Sequence, residues 1–144
     1  MTTRLWNGLP QTLVYDHENR LVGVVAPVTA TLGYDGQGQR VVRAMANETR
    51  LYLGDYFESD TGYTSWVRYY YFGGQRVAQR TPDGVTYLHA DHLGSTSGTT
   101  GQATSEQLYF PYGSQRTAAQ VAAEYRYTGQ RWEKAIGLYD YKAR

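Results

Sequence analysis

One short pattern recurs along this chain: an aromatic residue, a turn of small or acidic residues, an arginine, and usually an apolar residue. It reads Tyr15-Asp16-His17-Glu18-Asn19-Arg20-Leu21-Val22 and Tyr34-Asp35-Gly36-Gln37-Gly38-Gln39-Arg40-Val41-Val42, then Tyr71-Phe72-Gly73-Gly74-Gln75-Arg76-Val77-Ala78. Weaker copies are Tyr109-Phe110-Pro111-Tyr112-Gly113-Ser114-Gln115-Arg116 and Tyr127-Thr128-Gly129-Gln130-Arg131-Trp132. Tyr15, Tyr34, Tyr52, Tyr71, Tyr87, Tyr109 and Tyr127 are separated by 19, 18, 19, 16, 22 and 18 residues. Such a spacing fits one β-hairpin per unit, so the sheet is expected to grow by repetition. Tyr and Arg of one unit are expected to meet across its turn, the guanidinium and ring covering each other's apolar surface.

Composition agrees. Of 144 residues, 15 are Tyr and 16 are Gly. Tyr suits half-buried strand positions, and Gly supplies the positive φ of tight turns. Turn signals at Asp35 to Gly38, Ser59 to Gly62, Gly73-Gly74, Pro82 to Gly84, Gly98 to Gly101 and Tyr112 to Ser114 separate β-branched and aromatic runs. Several runs alternate polar and apolar residues, as strands with one dry face do. The expected fold is all-β, an antiparallel sheet of serial hairpins. One domain is expected over 1–144, with 1–10 a flexible N-terminal tail and at most one short helix near 117–124.

Several functions are excluded early. With 14 Lys and Arg against 13 Asp and Glu, the chain lacks the basic surface that nucleic acid or an anionic membrane demands. No nucleic-acid partner is expected. The absence of cysteine rules out a disulfide framework, a thiol nucleophile and a thiolate zinc site. The stretch Met1-Thr2-Thr3-Arg4-Leu5-Trp6 does not resemble a signal peptide. The longest apolar run, Leu21 to Ala30, is broken by Gly23 and Pro27 and is too short to insert into a membrane. There is no phosphate-binding loop or dinucleotide fingerprint, so no cofactor is expected.

The repeat resembles the YD repeats of rearrangement-hotspot (RHS) proteins. From Tyr69 onward the chain resembles more narrowly the RHS repeat-associated core domain. The matching segments are Tyr69 to Ala78, Asp91-His92-Leu93-Gly94-Ser95-Thr96-Ser97, Tyr109-Phe110-Pro111-Tyr112-Gly113, Tyr127-Thr128-Gly129-Gln130-Arg131 and Gly137-Leu138-Tyr139-Asp140-Tyr141-Lys142-Ala143-Arg144. The resemblance implies a curved β-strip, part of a hollow shell that often encloses a C-terminal toxin in large bacterial secreted or surface proteins. In many such proteins a pair of aspartates after the equivalent of Arg144 releases the toxin. That segment is not in this sequence, so the implied self-cleavage rests on no residue here. Ala90 and Lys142 stand where glycine is common.

Other chemistry has its candidates. His89, Asp91 and His92 are residue types that ligate a metal if a turn at Leu93-Gly94 gathers them. Asp91, His92 and Ser95 or Ser97 hold the types of a hydrolase triad, although neighbours in one segment rarely converge as a triad must. The plainer reading makes Asp91 a turn cap and packs the histidines against tyrosines. The carboxylate pairs Asp16/Glu18 and Glu58/Asp60 are expected as solvated hairpin ends.

Aromatic rows carry the remaining binding potential. Trp66, Tyr69, Tyr70 and Tyr71 form one, and Tyr125, Tyr127, Trp132, Tyr139 and Tyr141 another. Alternate members of a row face opposite sides of a sheet, so each row is expected to show some rings to solvent, a partner or a glycan. The plainer expectation is that the rings fill the inner face. The leading expectation is a structural β-module without an active site of its own. Its partners are a second copy or the remainder of a larger RHS protein, joined through open strand edges and aromatic faces. The alternatives are a carbohydrate-binding module or a small hydrolase using His89, Asp91 and His92.

Overall fold

The computed structural model describes residues 1–116 and 121–142. Regular structure among the described residues is almost all strand. The described residues contain no α-helix, only 3₁₀ turns at Pro111–Gly113 and Tyr127–Gly129. Of the short helix allowed near 117–124, residues 117–120 lie outside the described residues and 121–124 are not helical.

Two compact units divide the chain, where the sequence reads as one domain. The first comprises Met1–Trp66 with Lys134–Leu138 and Lys142. Its strands are β1 (Thr2–Trp6), β2 (Leu9–Tyr15), β3 (Leu21–Val25), β4 (Ala30–Tyr34), β5 (Arg40–Met45), β6 (Glu48–Leu53) and β7 (Phe57–Asp60). Each pairs antiparallel with the next, so the strand order is the sequence order. Residues 1–10, expected as a tail, carry β1 and the start of β2, with Thr3 opposite Thr12 and Leu5 opposite Pro10. The connecting Asn7-Gly8 has φ of 50° and 78°, the left-handed pair that a two-residue hairpin turn requires.

The second unit takes Val67–Glu133 and Tyr139–Tyr141. It is built from β8 (Trp66–Phe72), β9 (Gln75–Thr81), β10 (Gly84–Ala90), β11 (Thr96–Gly101) and β12 (Ser105–Glu106), again antiparallel and in sequence order. A two-stranded ribbon, β13 (Arg131–Glu133) and β14 (Leu138–Asp140), follows.

Alternation along each strand sorts side chains to two faces. In the first unit Leu13, Val24, Ala30 and Leu32 form a buried cluster. The turn after β13 closes it with Ile136, which is 1% exposed. Arg4 holds that turn from β1, donating from Nη2 to the Ile136 and Gly137 carbonyls at 2.6 and 3.0 Å. In the second unit Val67, Tyr69 and Tyr125 pack together, and Leu88 packs with Val121 and Ala123.

These apolar clusters are small, and much of the buried remainder is polar. Gln11, Glu58, Ser59, Thr99 and Gln107 are each at most 1% exposed. Glu58 therefore departs from the expected solvated hairpin end. It lies in β7 opposite Tyr52, with Oε2 3.6 Å from Arg50 Nε.

Candidate functional site

Apart from the Tyr71 copy, where Gly73-Gly74 closes a two-residue hairpin with Phe72 opposite Gln75, the repeat copies share one five-residue turn built from backbone hydrogen bonds. Its first N–H donates to the fifth carbonyl, and its fourth N–H donates back to the first carbonyl. This geometry occurs at 16–20, 35–39, 91–95, 110–114 and 126–130, with N···O distances of 2.8 to 3.1 Å. The fourth residue carries positive φ each time: Asn19 61°, Gly38 79°, Gly94 78°, Gly113 84° and Gly129 69°. That single backbone demand explains why Asn or Gly recurs there.

Where the turn begins with aspartate, its carboxylate finishes the structure. Asp16 Oδ1 accepts the N–H groups of Glu18 and Arg20, and Asp35 Oδ1 those of Gln37 and Gln39. Asp91 Oδ1 does the same for Leu93 and Ser95, each at 2.9 Å. Asp91-His92-Leu93-Gly94-Ser95 is thus a repeat turn, with Ala90 in the tyrosine position. The ring missing at Ala90 is why the sequence pattern passes over this copy and counts Tyr87, inside β10, instead.

The other candidate residues of that cluster are dispersed. His89 Nε2 lies 2.9 Å from Thr100 Oγ1 on the β10–β11 ladder, while His92 is exposed in the turn. Among the described residues no three His, Asp or Glu side chains gather as a metal site. Ser95 is fully buried, its Oγ accepting the Thr128 N–H at 3.0 Å, and Ser97 Oγ donates to the His89 carbonyl. A serine nucleophile must reach substrate, and Ser95 is enclosed by its own structure.

Asp91→Ala is therefore expected to cost about 1–2 kcal/mol, the scale of losing a side-chain oxygen that caps backbone N–H groups. His92→Ala should stay within about 0.5 kcal/mol, as exposed substitutions do. Urea unfolding of both variants checks this, and a larger loss for His92 contradicts the turn assignment.

Asp16 adds an electrostatic reading of the same turn. The Arg20 backbone N–H first, then the Arg20 side chain at 2.8 Å, hold its carboxyl below the ordinary range. A hydrogen bond from the Thr64 hydroxyl is the main cause of the same shift at Asp60. A depressed folded-state value contributes stability above the unfolded value, about pH 4, that is lost as pH falls through the folded value. Melting temperature should therefore fall more steeply below about pH 4 for the wild type than for Asp16→Asn. Parallel curves for the two proteins from pH 6 to 3 contradict it.

The Tyr–Arg pairing differs from its expected form in three of the five units, Arg116 stacking on Phe110 at 6.0 Å in one of them. Arg76 and Arg131 bond the tyrosine of their own unit, Arg76 reaching Tyr71 Oη and Arg131 reaching Tyr125 Oη. The last unit therefore starts at Tyr125, two residues before the Tyr127 that sequence spacing selects. Arg20 and Arg40 instead stack on rings from the following unit, Tyr34 at 5.2 Å and Tyr52 at 4.8 Å. Spacing along one chain does not distinguish a ring across the turn from one a strand further on.

Both aromatic rows divide between the two faces. Tyr69 is buried against Tyr125 with ring centroids 5.0 Å apart, whereas Tyr70 is exposed on the other face of β8. Trp66 stacks on Phe57, and Tyr71 is half-buried beside Arg76. In the second row Tyr139 packs on Trp132 at 4.7 Å and on Tyr127 at 6.3 Å, leaving Tyr141 exposed. Burial pushes the Tyr109 and Tyr139 hydroxyls well above the ordinary tyrosine range. Tyr87, exposed on β10, has a register partner in Ala78, which in turn pairs with Tyr70. The two exposed rings thus flank one small residue, a juxtaposition that needs the strand register to see.

No family sequence profile matches the chain, and no curated protein matches it. Solved structures do. TcdB2-TccC3-Cdc42 aligns at a TM-score of 0.69 and 20% identity over 90% of this chain. TcdB2-TccC3 without its hypervariable C-terminal region gives the same values. TcdB2-TccC3-TEV gives 0.65 and 21% over 93%. These are structures of an RHS/YD-repeat toxin complex, and this chain spans 8% of the length of each matched chain. At such identity the likeness establishes the fold, an RHS-like antiparallel β-sheet.

Proposed function

We propose that this chain is a structural module of an RHS-type shell, with no catalytic site of its own. The observation that carries the reading is the Asp91 turn. The densest cluster of catalytic residue types in the sequence has the hydrogen bonds of the repeat turns at Asp16 and Asp35. Its carboxylate is engaged by backbone, and the neighbouring Ser95 is buried. The fold shared with TcdB2-TccC3 supports the same reading, in which the module is one stretch of a longer sheet.

Self-association through strand edges belongs to this proposal. Among the described residues β1 pairs only with β2, and β12 only with β11. Open edges recruit strands, and exposed Leu5 and Leu9 lie at the first of them. Light scattering of the isolated chain at micromolar concentration is expected to show a discrete oligomer. A stable monomer overturns self-association.

A second reading, glycan binding, draws on Tyr70 and Tyr87 exposed on either side of Ala78, since flat rings stack on sugar faces. A glycan array discriminates. Hits lost in Tyr87→Ala favour the glycan reading, and no hits above background reject it.

A further inference from the structure

Arg76 in the second unit is surrounded by neutral partners. It is half-buried. Its Nε and Nη2 both donate to Tyr71 Oη, at 3.1 and 2.7 Å. Its guanidinium carbon lies 5.0, 5.2 and 3.2 Å from the ring centroids of Tyr69, Tyr71 and Tyr125. All of these partners are neutral. Arg20 meets Asp16 and Glu18, Arg43 meets Glu48, and Arg50 meets Glu48 and Glu58. Arg76 meets no carboxylate among the described residues, and its Nη1 makes no hydrogen bond there. Ring quadrupoles offset part of the cost of drawing a cation out of water, but a counter-charge offsets more.

Arg76 also borders a cavity of about 210 Å³, walled by Tyr71, Leu88, Ala90, Gly94 and Gly129. Gly94 and Gly129 are the positive-φ residues of two repeat turns. A Cβ on Gly129 would stand 3.3 Å from the Gly94 carbonyl oxygen, so the turns meet nearly backbone to backbone. Bare backbone on that side leaves the space open, while Tyr71 and Leu88 give it an apolar wall. A concave site with an apolar wall and one convergent charge is the usual form of a small-molecule site.

We propose that this cavity binds a small monocarboxylate on an apolar body of about phenyl size, its carboxylate on Arg76 Nη1 and its body against Tyr71 and Leu88. One guanidinium edge matches one carboxylate, and charge-assisted hydrogen bonds give such a pair its strength. The inference stands apart from the shell reading, because it needs only the second unit's own residues.

Calorimetric titration of the whole chain with benzoate and with benzyl alcohol, which keeps the ring and removes the charge, tests the site. Benzoate is expected to bind saturably and at least tenfold tighter than benzyl alcohol, weakening as salt is raised. Arg76→Met should lose at least tenfold in benzoate affinity. Ala90→Leu, which fills the cavity from its exposed side and leaves the tyrosine cage intact, should lose as much, and it decides the matter if Arg76→Met does not fold. No heat of binding at millimolar benzoate, equal affinity for the alcohol, or undiminished affinity in folded Ala90→Leu overturns the proposal.

Discussion

Ile136→Ala should destabilise the chain by about 2–5 kcal/mol, the range for emptying a fully buried aliphatic position. Ile136 is 1% exposed and completes a cluster otherwise drawn from β2, β3 and β4. Within its own segment Leu138 also packs against this cluster, but it is only partly buried and already occupies its own place there. Lys134 is exposed, and Gly137 has φ 62° with the Trp6 ring 2.3 Å from where a Cβ would stand. A collapse that refilled the space would have to move the turn that Arg4 clamps through two carbonyls. Urea unfolding measures the loss. Hydrogen exchange at Val24 and Leu32 should rise with it, because these residues line the emptied space. A cost below about 1 kcal/mol would mean that the covering turn is not part of the folded core.

That residue also marks a limit of sequence reading. The hairpin turns were legible because their causes are local: a positive φ at the fourth position, an acidic cap at the first, an arginine after the last. Asp16 and Asp35 announce themselves in this way, and Gly73-Gly74 announces a two-residue hairpin by its paired glycines. The plainer reading already makes Asp91 a turn cap, but its place in the repeat is not legible, because Ala90 replaces the ring that the pattern seeks. Ile136 lies in the short turn Glu133-Lys134-Ala135-Ile136-Gly137-Leu138, where one apolar pair with Leu138 is too little periodicity to signal a core position. Its burial depends on a sheet more than a hundred residues earlier in the chain.

Face assignment failed for a related reason. Alternation predicts an apolar inner face, yet Gln11, Glu58 and Gln107 are among the most buried side chains. A polar residue at a buried strand position satisfies the alternation rule of neither face, and Glu58 accordingly reads as solvent. The same ambiguity split the Trp66 to Tyr71 row, where only the register separates the buried Tyr69 from the exposed Tyr70.

Glu58→Ala should then cost about 3–5 kcal/mol, because removing one partner of a buried ion pair strands the other. Arg50 is 9% exposed and lies 3.6 Å from the Glu58 carboxylate, with Nη1 donating to the Ser65 carbonyl at 3.1 Å and to Ser65 Oγ at 3.0 Å. Its other carboxylates are less buried than Glu58: Glu48, 3.8 Å away with a side chain 39% exposed, and Asp60, its register partner in β7, where solvent weakens the attraction. Loss of Glu58 thus leaves a cation in the sheet whose remaining counter-charges are screened by solvent. The cost should come from that stranded charge more than from lost packing, and a second substitution separates the two. Glu58→Leu combined with Arg50→Met replaces both charges by apolar groups of similar size, and its stability should recover most of the loss. The cycle read by urea unfolding decides it. Should the double variant be as unstable as Glu58→Ala, the pair is not the source, and Glu58 must act through its place opposite Tyr52.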